Sequence, residues 1–360
     1  MPPEFSTSVI LLLSTLLLPT CAFIGAQDTC EFVLLFDHAY CPLPSRLLAS
    51  DHPVIDLARD CDRLKEEMNN TYHKGGQIPK EHFYYHGNWD SVALESPQTH
   101  GELGLLYQYM PQIVGKLESS SIIFELGPST YLAKSRAILD ALQATGSHHW
   151  YVLVEYNQDI FFKMDELQQD YSLITFIIIR GAFDQVFPLA KELTHGRTAA
   201  LLSFGSTFTN ADKNVLHHRF QTWGSIASVV ILGQDMPLEQ QANQWHDNYH
   251  SRPMQNFIRD AFERADAMLG KTRFSDSIQL PCNYTSTSHT YKFQLNNDKE
   301  VEVFTSIKSN EATILDPLVH EPLVFRETLG ADNTTMRTIC PILEHVWPYH
   351  STELSRAGHW

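Results

Sequence analysis

The chain has 360 residues, of which 42 are Asp or Glu and 26 are Lys or Arg, giving a formal net charge of −16 at pH 7. This charge argues against a nucleic-acid-binding protein, whose phosphate contacts require a basic surface. Hydrophobic residues make up 43% and charged residues 19% of the chain, a composition typical of globular proteins and not of disordered ones.

The first predicted element is an apolar segment at the N-terminus. Residues 5–27 contain no charged residue, and small residues follow the leucine-rich part at Cys21-Ala22 and Gly25-Ala26. This pattern is typical of a secretory signal peptide or of an uncleaved membrane anchor. Glu4 lies where a basic residue is expected and Pro19 interrupts the apolar run, so a peripheral apolar helix is the alternative.

These features predict a signal peptide or anchor over residues 1–27 and a linker over residues 28–52. Glycosylation sequons begin at Asn69, Asn283 and Asn333, and they add weak support for secretion. The predicted location is therefore the secretory pathway or a membrane, and the alternative is the cytoplasm.

The middle of the chain alternates short apolar runs with segments of helical periodicity. Strands are predicted over Ser121–Leu126, Tyr151–Glu155, Leu173–Ile179, Ala199–Phe204 and Ile226–Leu232. Helices are predicted over Leu132–Leu142, Asp159–Gln169, Phe183–Leu193 and Lys213–Trp223. Strands that alternate with helices indicate βαβ units and a parallel sheet, and strands apolar on both faces are typical of a sheet covered by helices.

A different pattern flanks this region. Before it, Val54–Leu57 leads into a charged helical stretch over Arg59–Met68. After it, Met254–Leu269 has helical periodicity, and His289–Leu295 and Glu300–Thr305 flank a turn-forming Asn-Asn-Asp sequence. The sequence therefore predicts an α/β fold in which a smaller α+β region packs beside the sheet.

The first two predicted strands end in residues suited to an adenosine-containing cofactor. Ligands of open parallel sheets bind at the carboxyl ends of the strands. Gly127 follows the first strand and lets the backbone approach a ligand, and Glu155 ends the second strand, where an acid accepts both ribose hydroxyls. A dinucleotide and S-adenosylmethionine both fit, but no G-x-G-x-x-G string is present, which disfavours the dinucleotide. A simple glycine turn and an unrelated Glu are the alternative.

The fourth predicted strand ends in a polar run that includes Ser206, Thr207 and Asn210. This run is not a G-x-S-x-G nucleophile elbow, so a hydrolase is disfavoured. We expect these side chains to bind a polar substrate, or alternatively to cap the next helix. His246 and His250 have the spacing of a helical zinc pair, but no third ligand is evident, and no metal site is assigned.

Three parts of the sequence, in this order, resemble one family of methyltransferases. They are Glu125–Gly127 with Ile138–Leu142, then Phe204–Asn210, then Ile231–Asp235. The family contains the S-adenosylmethionine-dependent histidine N-methyltransferases of ergothioneine biosynthesis and the dimethylallyltryptophan N-methyltransferases of fungal ergot alkaloid biosynthesis. The resemblance spans residues 53–360 and includes Val54–Leu57 and Trp89–Leu106.

The resemblance implies a Rossmann-like methyltransferase sheet over residues 119–235. It also implies a smaller α+β substrate-binding domain formed by residues 53–118 and 236–360. The implied cofactor is S-adenosylmethionine, and the implied substrate is a small amino-acid-derived molecule or a peptide, methylated on its amino nitrogen. A prenylated tryptophan-like molecule or a modified peptide of fungal secondary metabolism is expected.

The resemblance also implies a role for individual residues. The implied cofactor-binding residues are Glu125, Gly127, Thr130, Glu155, Gly181 and Phe183. The implied catalytic residues, which orient the amino acid or shape its pocket, are Asn210, Glu344 and Tyr85. The implied substrate-binding residues are Tyr84 and Tyr249.

The sequence departs from the family pattern at several of its positions. Ser129 replaces the second glycine of the cofactor turn, and Lys134 lies one position beyond the expected Lys. Ala182 replaces an acid before Phe183, and Val346 replaces a Ser. These changes favour a substrate other than free histidine. They also keep open a noncatalytic binding protein with a degenerate cofactor site. A nicotinamide-dependent oxidoreductase is a third alternative.

Overall fold

The computed structural model describes residues 54–58, 61–85, 88–195, 197–236, 249–276, 278–279, 283–284, 288–316, 323–330 and 336–343. None of the helices in these ranges has the length and apolar character that crossing a bilayer requires. The predicted N-terminal segment, residues 5–27, lies outside them, as does Glu344.

Short elements come first along the described chain. They are β1 (Val54–Asp56), α1 (Cys61–Lys74), β2 (Gly76–Gln77), α2 (Lys80–Tyr84), α3 (Trp89–Glu95) and α4 (Pro97–Leu117). A strict alternation of strands and helices follows. It comprises β3 (Ile122–Leu126), α5 (Ala133–Thr145), β4 (His149–Glu155), a 3₁₀ helix (Gln158–Lys163), α6 (Met164–Asp170), β5 (Ile174–Arg180), α7 (Phe183–Leu193), β6 (Ala199–Ser203), α8 (Lys213–Gly224) and β7 (Val229–Asp235).

The C-terminal part adds one long helix and several antiparallel strands. The elements are α9 (Arg252–Leu269), β8 (Ile278–Gln279), β9 (Asn283–Tyr284), β10 (Ser288–Gln294), β11 (Glu300–Ile307), α10 (Glu311–Leu315), β12 (Leu323–Gly330) and β13 (Met336–Leu343). The hairpin predicted around Asn296–Asp298 is present as β10 and β11, and Asp298 has the positive φ of 63° that its tight turn requires.

The large sheet has the strand order β1-β5-β4-β3-β6-β7-β13-β12. Its first six strands are parallel, and β13 and β12 are antiparallel additions at one edge. The predicted α/β fold with a parallel, Rossmann-like sheet is therefore confirmed. The sheet reaches beyond residues 119–235 in both directions, because β1 pairs with β5 and β13 pairs with β7.

Helices cover both faces of this sheet because its strands are apolar on both sides. Ile123, Leu153 and Ile178 point to the face covered by α4, α5 and α6. Phe124 and Val152, at alternate positions on the same strands, point to the face covered by α7 and α8. This period of two buries every residue of β3 and explains why the apolar runs predict the strands well.

A second sheet has the order β2-β11-β10-β8, with β9 paired to β10. Its β2 lies between β1 and β3 in the chain, and its other strands come from the chain after β7. The apolar side of α9 packs on it through Phe257 and Phe262, which join a core that includes Tyr291 and Phe293. The two sheets together therefore frame the carboxyl ends of the parallel strands.

Candidate functional site

A cavity of about 490 Å³ lies at the carboxyl ends of the parallel strands. The turns after β3, β4, β5 and β6 line it, together with α2, α3 and the end of β11. Of the predicted site residues, it is lined by Tyr84, Gly127, Thr130, Glu155, Gly181, Phe183, Asn210 and Tyr249. The structure thus brings these eight predicted cofactor and substrate residues to one cavity.

The turn after β3 requires a glycine at its first position. Gly127 has a φ of +70°, and a Cβ atom there would lie 2.6 Å from Cγ2 of Thr207. Ser129, where the resemblance implies a second glycine, also has a positive φ, of 61°. The replacement therefore leaves the turn in its glycine-like conformation at the cost of backbone strain.

The carboxylate of Glu155 is buried under this turn. Its Oε2 accepts a hydrogen bond from the backbone N–H of Ser129 at 2.9 Å, and its Oε1 accepts from the N–H groups of Tyr156 and Asn157 at 2.7 and 3.0 Å. Burial raises the pKa of Glu155, and the three N–H donors oppose that shift. Since each carboxylate oxygen accepts two bonds, Oε2 retains the capacity to accept a ribose hydroxyl.

Asp90 is a cavity residue that the sequence did not point to. Its Oδ2 accepts a hydrogen bond from the hydroxyl of Thr130 at 2.5 Å, and its Oδ1 accepts from the N–H of Tyr131 at 3.1 Å. The start of α3 is thereby tied to the turn after β3. The structure places Thr130 in the cavity wall with its hydroxyl already directed to a protein carboxylate.

The turn after β5 brings a flat apolar surface to the cavity. Gly181 allows close packing, because a Cβ atom there would approach Leu57 and Val186 at 3.3 and 3.1 Å. Phe183 opens α7, and the guanidinium of Arg219 lies 5.3 Å from its ring centre. An aromatic ring at this position suits contact with an adenine ring.

Asn210 connects the loop after β6 to the second sheet. Its Oδ1 accepts a hydrogen bond from the N–H of Ile307 at 2.9 Å, and its backbone carbonyl accepts from Nζ of Lys80 at 3.3 Å. Tyr249 donates from its hydroxyl to Oγ of Ser306 at 2.6 Å. Polar groups of both sheets therefore surround the predicted substrate end of the cavity.

Aromatic side chains form the remaining wall at this end. Tyr84 contacts the rings of Trp89 and Phe257, with centres 5.6 and 5.8 Å apart, and Trp89 lies 6.2 Å from Phe304. Burial raises the pKa of Tyr84, so its hydroxyl stays protonated and remains a hydrogen-bond donor. The wall is suited to an apolar or aromatic substrate side chain.

Two predicted site residues lie outside the lining of this cavity. The side chain of Glu125 points into the protein, where it accepts hydrogen bonds from the hydroxyls of Ser135 and Tyr151 at 3.0 and 2.7 Å. The Arg180 guanidinium lies 4.3 Å from the ring centre of Tyr85. Tyr85 directly follows the cavity residue Tyr84, and Glu125 lies two positions before the cavity residue Gly127. Neighbouring side chains of a helix or strand point in different directions.

An ion pair absent from the sequence prediction joins the two sheets at the cavity. Nζ of Lys308, which follows β11, lies 2.9 Å from Oδ2 of Asp235, which ends β7, and it also donates to Gln98 at 3.0 Å. Burial disfavours the ammonium, but the Asp235 carboxylate outweighs it and raises the pKa of Lys308. In the sequence, Asp235 is the last residue of Ile231–Asp235, one of the segments that resemble the methyltransferase family. Its place at the end of this segment is the signal from which a role in the site could have been predicted.

The displaced lysine of the cofactor turn also has a partner. Nζ of Lys134 lies 2.8 Å from Oε2 of Glu102, and both oxygens of Glu102 accept from the N–H of Gly205, at 3.0 and 2.9 Å. A Cβ atom at Gly233 would lie 1.5 Å from this carboxylate, so a glycine is required there. The network fixes the loop after β6 against α4 and α5.

The residues present fit S-adenosylmethionine. The cavity has room for a cofactor, a glycine allows close approach of the backbone after β3, and Glu155 ends β4 with acceptor capacity. Phe183 provides a surface for the adenine at the neighbouring turn.

Comparison with curated proteins gives no match. Among solved structures, the mitomycin 7-O-methyltransferase MmcR is similar at 12% identity and a TM-score of 0.36, over 78% of this chain and 67% of that one. Magnesium protoporphyrin IX methyltransferase from Synechocystis PCC 6803, solved with bound S-adenosylhomocysteine, is similar at 7% identity and a TM-score of 0.40, over 71% of this chain and 92% of that one. The family model for histidine-specific, S-adenosylmethionine-dependent methyltransferases matches residues 95–316, more than half of the sequence, and the chain belongs to this family.

Proposed function

We propose that this methyltransferase methylates the amino nitrogen of a small amino-acid-derived molecule. A prenylated tryptophan-like molecule or a modified peptide of fungal secondary metabolism remains the expected substrate. The observation that carries the proposal is one cavity lined both by Gly127 and Glu155 and by Tyr84, Asn210 and Tyr249. Its volume of about 490 Å³ is within the usual range for small-molecule sites.

The chain's task in such a reaction is mainly to position the acceptor. S-adenosylmethionine, when bound, supplies a methyl group already activated on a sulfonium. The acceptor nitrogen must present a neutral lone pair to that group, so orientation and exclusion of water dominate the rate. Asn210 and Tyr249 provide polar contacts for the amino-acid part, and the wall of Tyr84, Trp89 and Phe304 packs on its side chain.

The first test is calorimetric titration of the purified protein with S-adenosylmethionine, S-adenosylhomocysteine and NAD. We expect micromolar binding of the first two, about −8 kcal/mol, and none of NAD. Methyl transfer is then assayed on L-histidine, L-tryptophan, prenylated tryptophan and short peptides. The proposal requires a product methylated on the amino nitrogen, identified by mass spectrometry.

Two glycine variants provide a matched pair for this test. Gly127 and Gly146 both have a positive φ, but a Cβ atom meets Thr207 at 2.6 Å at Gly127 and nothing within 4 Å at Gly146. Gly127→Ala should weaken S-adenosylhomocysteine binding at least tenfold, and Gly146→Ala should leave it unchanged. A folded protein that binds neither methyl-donor form would favour the noncatalytic alternative, and binding of NAD alone would favour the oxidoreductase.

We also propose that residues 5–27 direct the chain to the secretory pathway or a membrane, with the cytoplasm as the alternative. The apolar sequence supports this proposal. Fractionation of cells that express the full chain, compared with a chain lacking residues 1–27, tests it: equal cytosolic recovery of both would contradict the proposal.

A further inference from the structure

Three successive residues at the end of β11 contact the two polar residues that the proposed function assigns to the acceptor. Oγ of Ser306 accepts a hydrogen bond from the hydroxyl of Tyr249 at 2.6 Å, and the N–H of Ile307 donates to Oδ1 of Asn210 at 2.9 Å. Lys308 is the next residue, and its Nζ lies 6.0 Å from the ring centre of Tyr249. The position of Tyr249 therefore depends on two alternate side chains of this segment, Ser306 and Lys308.

Lys308 is itself fixed by a closed ring of polar groups. Its Nζ lies 2.9 Å from Oδ2 of Asp235 and donates to Oε1 of Gln98 at 3.0 Å. Nε2 of Gln98 donates to Oγ of Ser206 at 3.0 Å, and the same Oγ accepts from the N–H of Asp235 at 2.9 Å. The ring joins α4, the loop after β6, the end of β7 and the end of β11, so the ammonium is held in one place.

Stability alone does not account for this ion pair. Lys308 and Asp235 are only 2% and 3% exposed, and taking two charges out of water can cost more than the pair regains. Within the part of the chain that the structure describes, Oδ1 of Asp235 has no hydrogen-bond partner, which adds to this cost. Burial disfavours the Lys308 ammonium, but Asp235 and the Tyr249 hydroxyl outweigh it and raise its pKa. A costly pair that stays charged beside a cavity residue indicates a role in the site.

The hydrogen bond to Ser306 sets the direction of the Tyr249 hydroxyl. A phenolic hydroxyl has one proton to donate, and its oxygen can also accept. Because Tyr249 directs its proton to Ser306, its oxygen retains the capacity to accept from an N–H group of a ligand in the cavity that it lines. A neutral amine has such N–H groups, and a hydrogen bond to one of them turns the nitrogen lone pair in a defined direction.

We propose that Lys308 and Asp235 are positioning residues for methyl transfer, which hold Tyr249 so that its hydroxyl oxygen accepts an N–H of the acceptor amine and aligns the nitrogen lone pair. This inference rests on the proposed function and deepens it. The two charges of the pair cancel, so the pair adds no net charge that would favour the ammonium form of the acceptor. That form has no lone pair to methylate.

The ring also borders the predicted cofactor turn. Ser206 precedes Thr207, and Cγ2 of Thr207 lies so close to Gly127 that a Cβ atom there would approach it to 2.6 Å. Lys308, on the other side of the ring, lies beside Tyr249. The pair therefore connects the turn that is expected to hold the methyl donor with the residue that is expected to hold the methyl acceptor.

The test is a mutant cycle between the ion pair and Tyr249. Steady-state rates are measured with S-adenosylmethionine and with whichever of L-histidine, L-tryptophan and prenylated tryptophan wild type methylates fastest. Lys308→Met combined with Asp235→Asn should lower kcat roughly 10- to 100-fold and change KM less than about threefold, because a displaced contact costs orientation more than binding. In Tyr249→Phe, which has no hydroxyl to position, the same two substitutions should change kcat less than about twofold.

Ser306→Ala is a second and smaller change at the same hydroxyl. It removes the group that accepts the proton of Tyr249, so kcat should fall about three- to tenfold, the range for one neutral hydrogen bond. This loss should also disappear in Tyr249→Phe. Because Ser306→Ala leaves the ion pair intact, it decides the question if the pair variant does not fold.

An exposed ion pair provides the matched control. Lys213 and Asp316 lie 2.7 Å apart on the surface, and Lys213→Met combined with Asp316→Asn should leave kcat unchanged. The variant of the buried pair removes both charges together, so we expect it to fold. Thermal melting verifies the fold of each variant, and titration with S-adenosylhomocysteine verifies its cofactor site.

The outcomes separate this inference from the proposed function. An unchanged kcat in the folded pair variant would overturn the inference. Losses that multiply with the loss in Tyr249→Phe would also overturn it, since the pair would then act independently of the hydroxyl. A loss of S-adenosylhomocysteine binding as large as the loss of kcat would overturn it too, and would assign the pair to the cofactor. If wild type binds S-adenosylhomocysteine but methylates none of the three acceptors and no short peptide, the proposed function fails and the inference fails with it.

Discussion

Ser129 shows how a single residue can carry strain in a functional turn. Its φ of 61° lies in the left-handed region, and its N–H is bonded to Glu155, so the conformation is held by the site. The left-handed conformation costs a residue with a side chain roughly 1–2 kcal/mol. The turn after β3 therefore keeps its shape although the sequence departs from the family pattern there.

We expect Ser129→Gly to stabilise the protein. The variant keeps the N–H donor and relieves the strain, but it adds about 0.5–1 kcal/mol of chain entropy on unfolding, so the net gain should be about 0.5–1 kcal/mol. Urea unfolding at neutral pH measures the change. Ser129→Ala, which retains the strain, is the control, and an equal gain in both variants would contradict the explanation.

Glu125 makes the stability depend on pH. Burial raises its pKa from 4.5 to about 7, with the hydroxyls of Tyr151 and Ser135 opposing the shift. Between these values the folded chain holds a proton that the unfolded chain has lost, so the free energy of unfolding decreases as pH rises from about 4.5 to about 7. Above pH 7 this contribution is constant.

Glu125→Gln should remove that decrease, which is on the order of 3 kcal/mol for a shift of this size. Gln keeps the side-chain volume and bonds to both hydroxyls without a charge. Urea unfolding of both proteins from pH 5 to pH 8 gives the comparison. A wild-type slope that persists in the variant would show that another group is responsible.

At the scale of elements, Glu102 holds three segments together. This fully buried residue of α4 binds Lys134 at the start of α5 and the N–H of Gly205 after β6. The carboxylate is packed so closely against Gly233 of β7 that no side chain fits there. The position of the loop that carries Asn210 therefore depends on a helix far from it in sequence.

Replacing Glu102 alone should lower the free energy of unfolding more than replacing Glu102 and Lys134 together. Glu102→Ala leaves a mostly buried ammonium and an N–H without their partner, which costs about 3–5 kcal/mol. Glu102→Gln combined with Lys134→Met removes both charges and keeps an acceptor for Gly205, so it should be clearly more stable. A cycle of Glu102→Gln, Lys134→Met and their double variant, measured by urea unfolding, gives the coupling, and additive effects would exclude a direct pair.

At the scale of the whole molecule, the cavity lies where the two sheets meet. Asp235 and Lys308 pair across this junction, and Asn210 accepts from Ile307 across it. A ligand that fills the cavity contacts the turns of the large sheet and the residues of the second one. Ligand binding should therefore stabilise the whole folded chain and not one part.

S-adenosylhomocysteine at one hundred times its dissociation constant should add about 2.7 kcal/mol to the free energy of unfolding. For a chain of this size, that gain corresponds to a rise in Tm of several degrees in a thermal melt. Gly127→Ala is the negative control, because its Cβ collides with Thr207 in the cofactor turn. A Tm that is unchanged by the ligand in wild type would contradict the assignment of the cofactor site.

Much of the large sheet was predictable because its signals are local. Phe183–Leu193 is a helix with the predicted bounds, and the five predicted strands lie within three residues of the observed ones. The predicted helix over Asp159–Gln169 is instead a 3₁₀ segment followed by α6. The Asn157 side chain accepts from the N–H of Asp159, a local bond that competes with the regular helix.

The sequence by itself determined the alternation of strands and helices, the glycine turn after β3 and the acid that ends β4, since periodicity and turn chemistry act over a few residues. Only the tertiary structure decided which polar groups meet. It placed the side chain of Glu125 in the interior. The sequence could not predict this, because both faces of β3 are apolar and the pattern does not show to which face a polar side chain points.

Long-range pairing decided the rest of the site. Lys80 reaches the carbonyl of Asn210 across 130 positions of the chain, and Lys308 reaches Gln98 across 210. β1, β12 and β13 joined the large sheet by pairing that no local pattern indicates. Such contacts depend on how one sheet packs beside the other. The arrangement of charged groups around the cavity could therefore be read only from the tertiary structure.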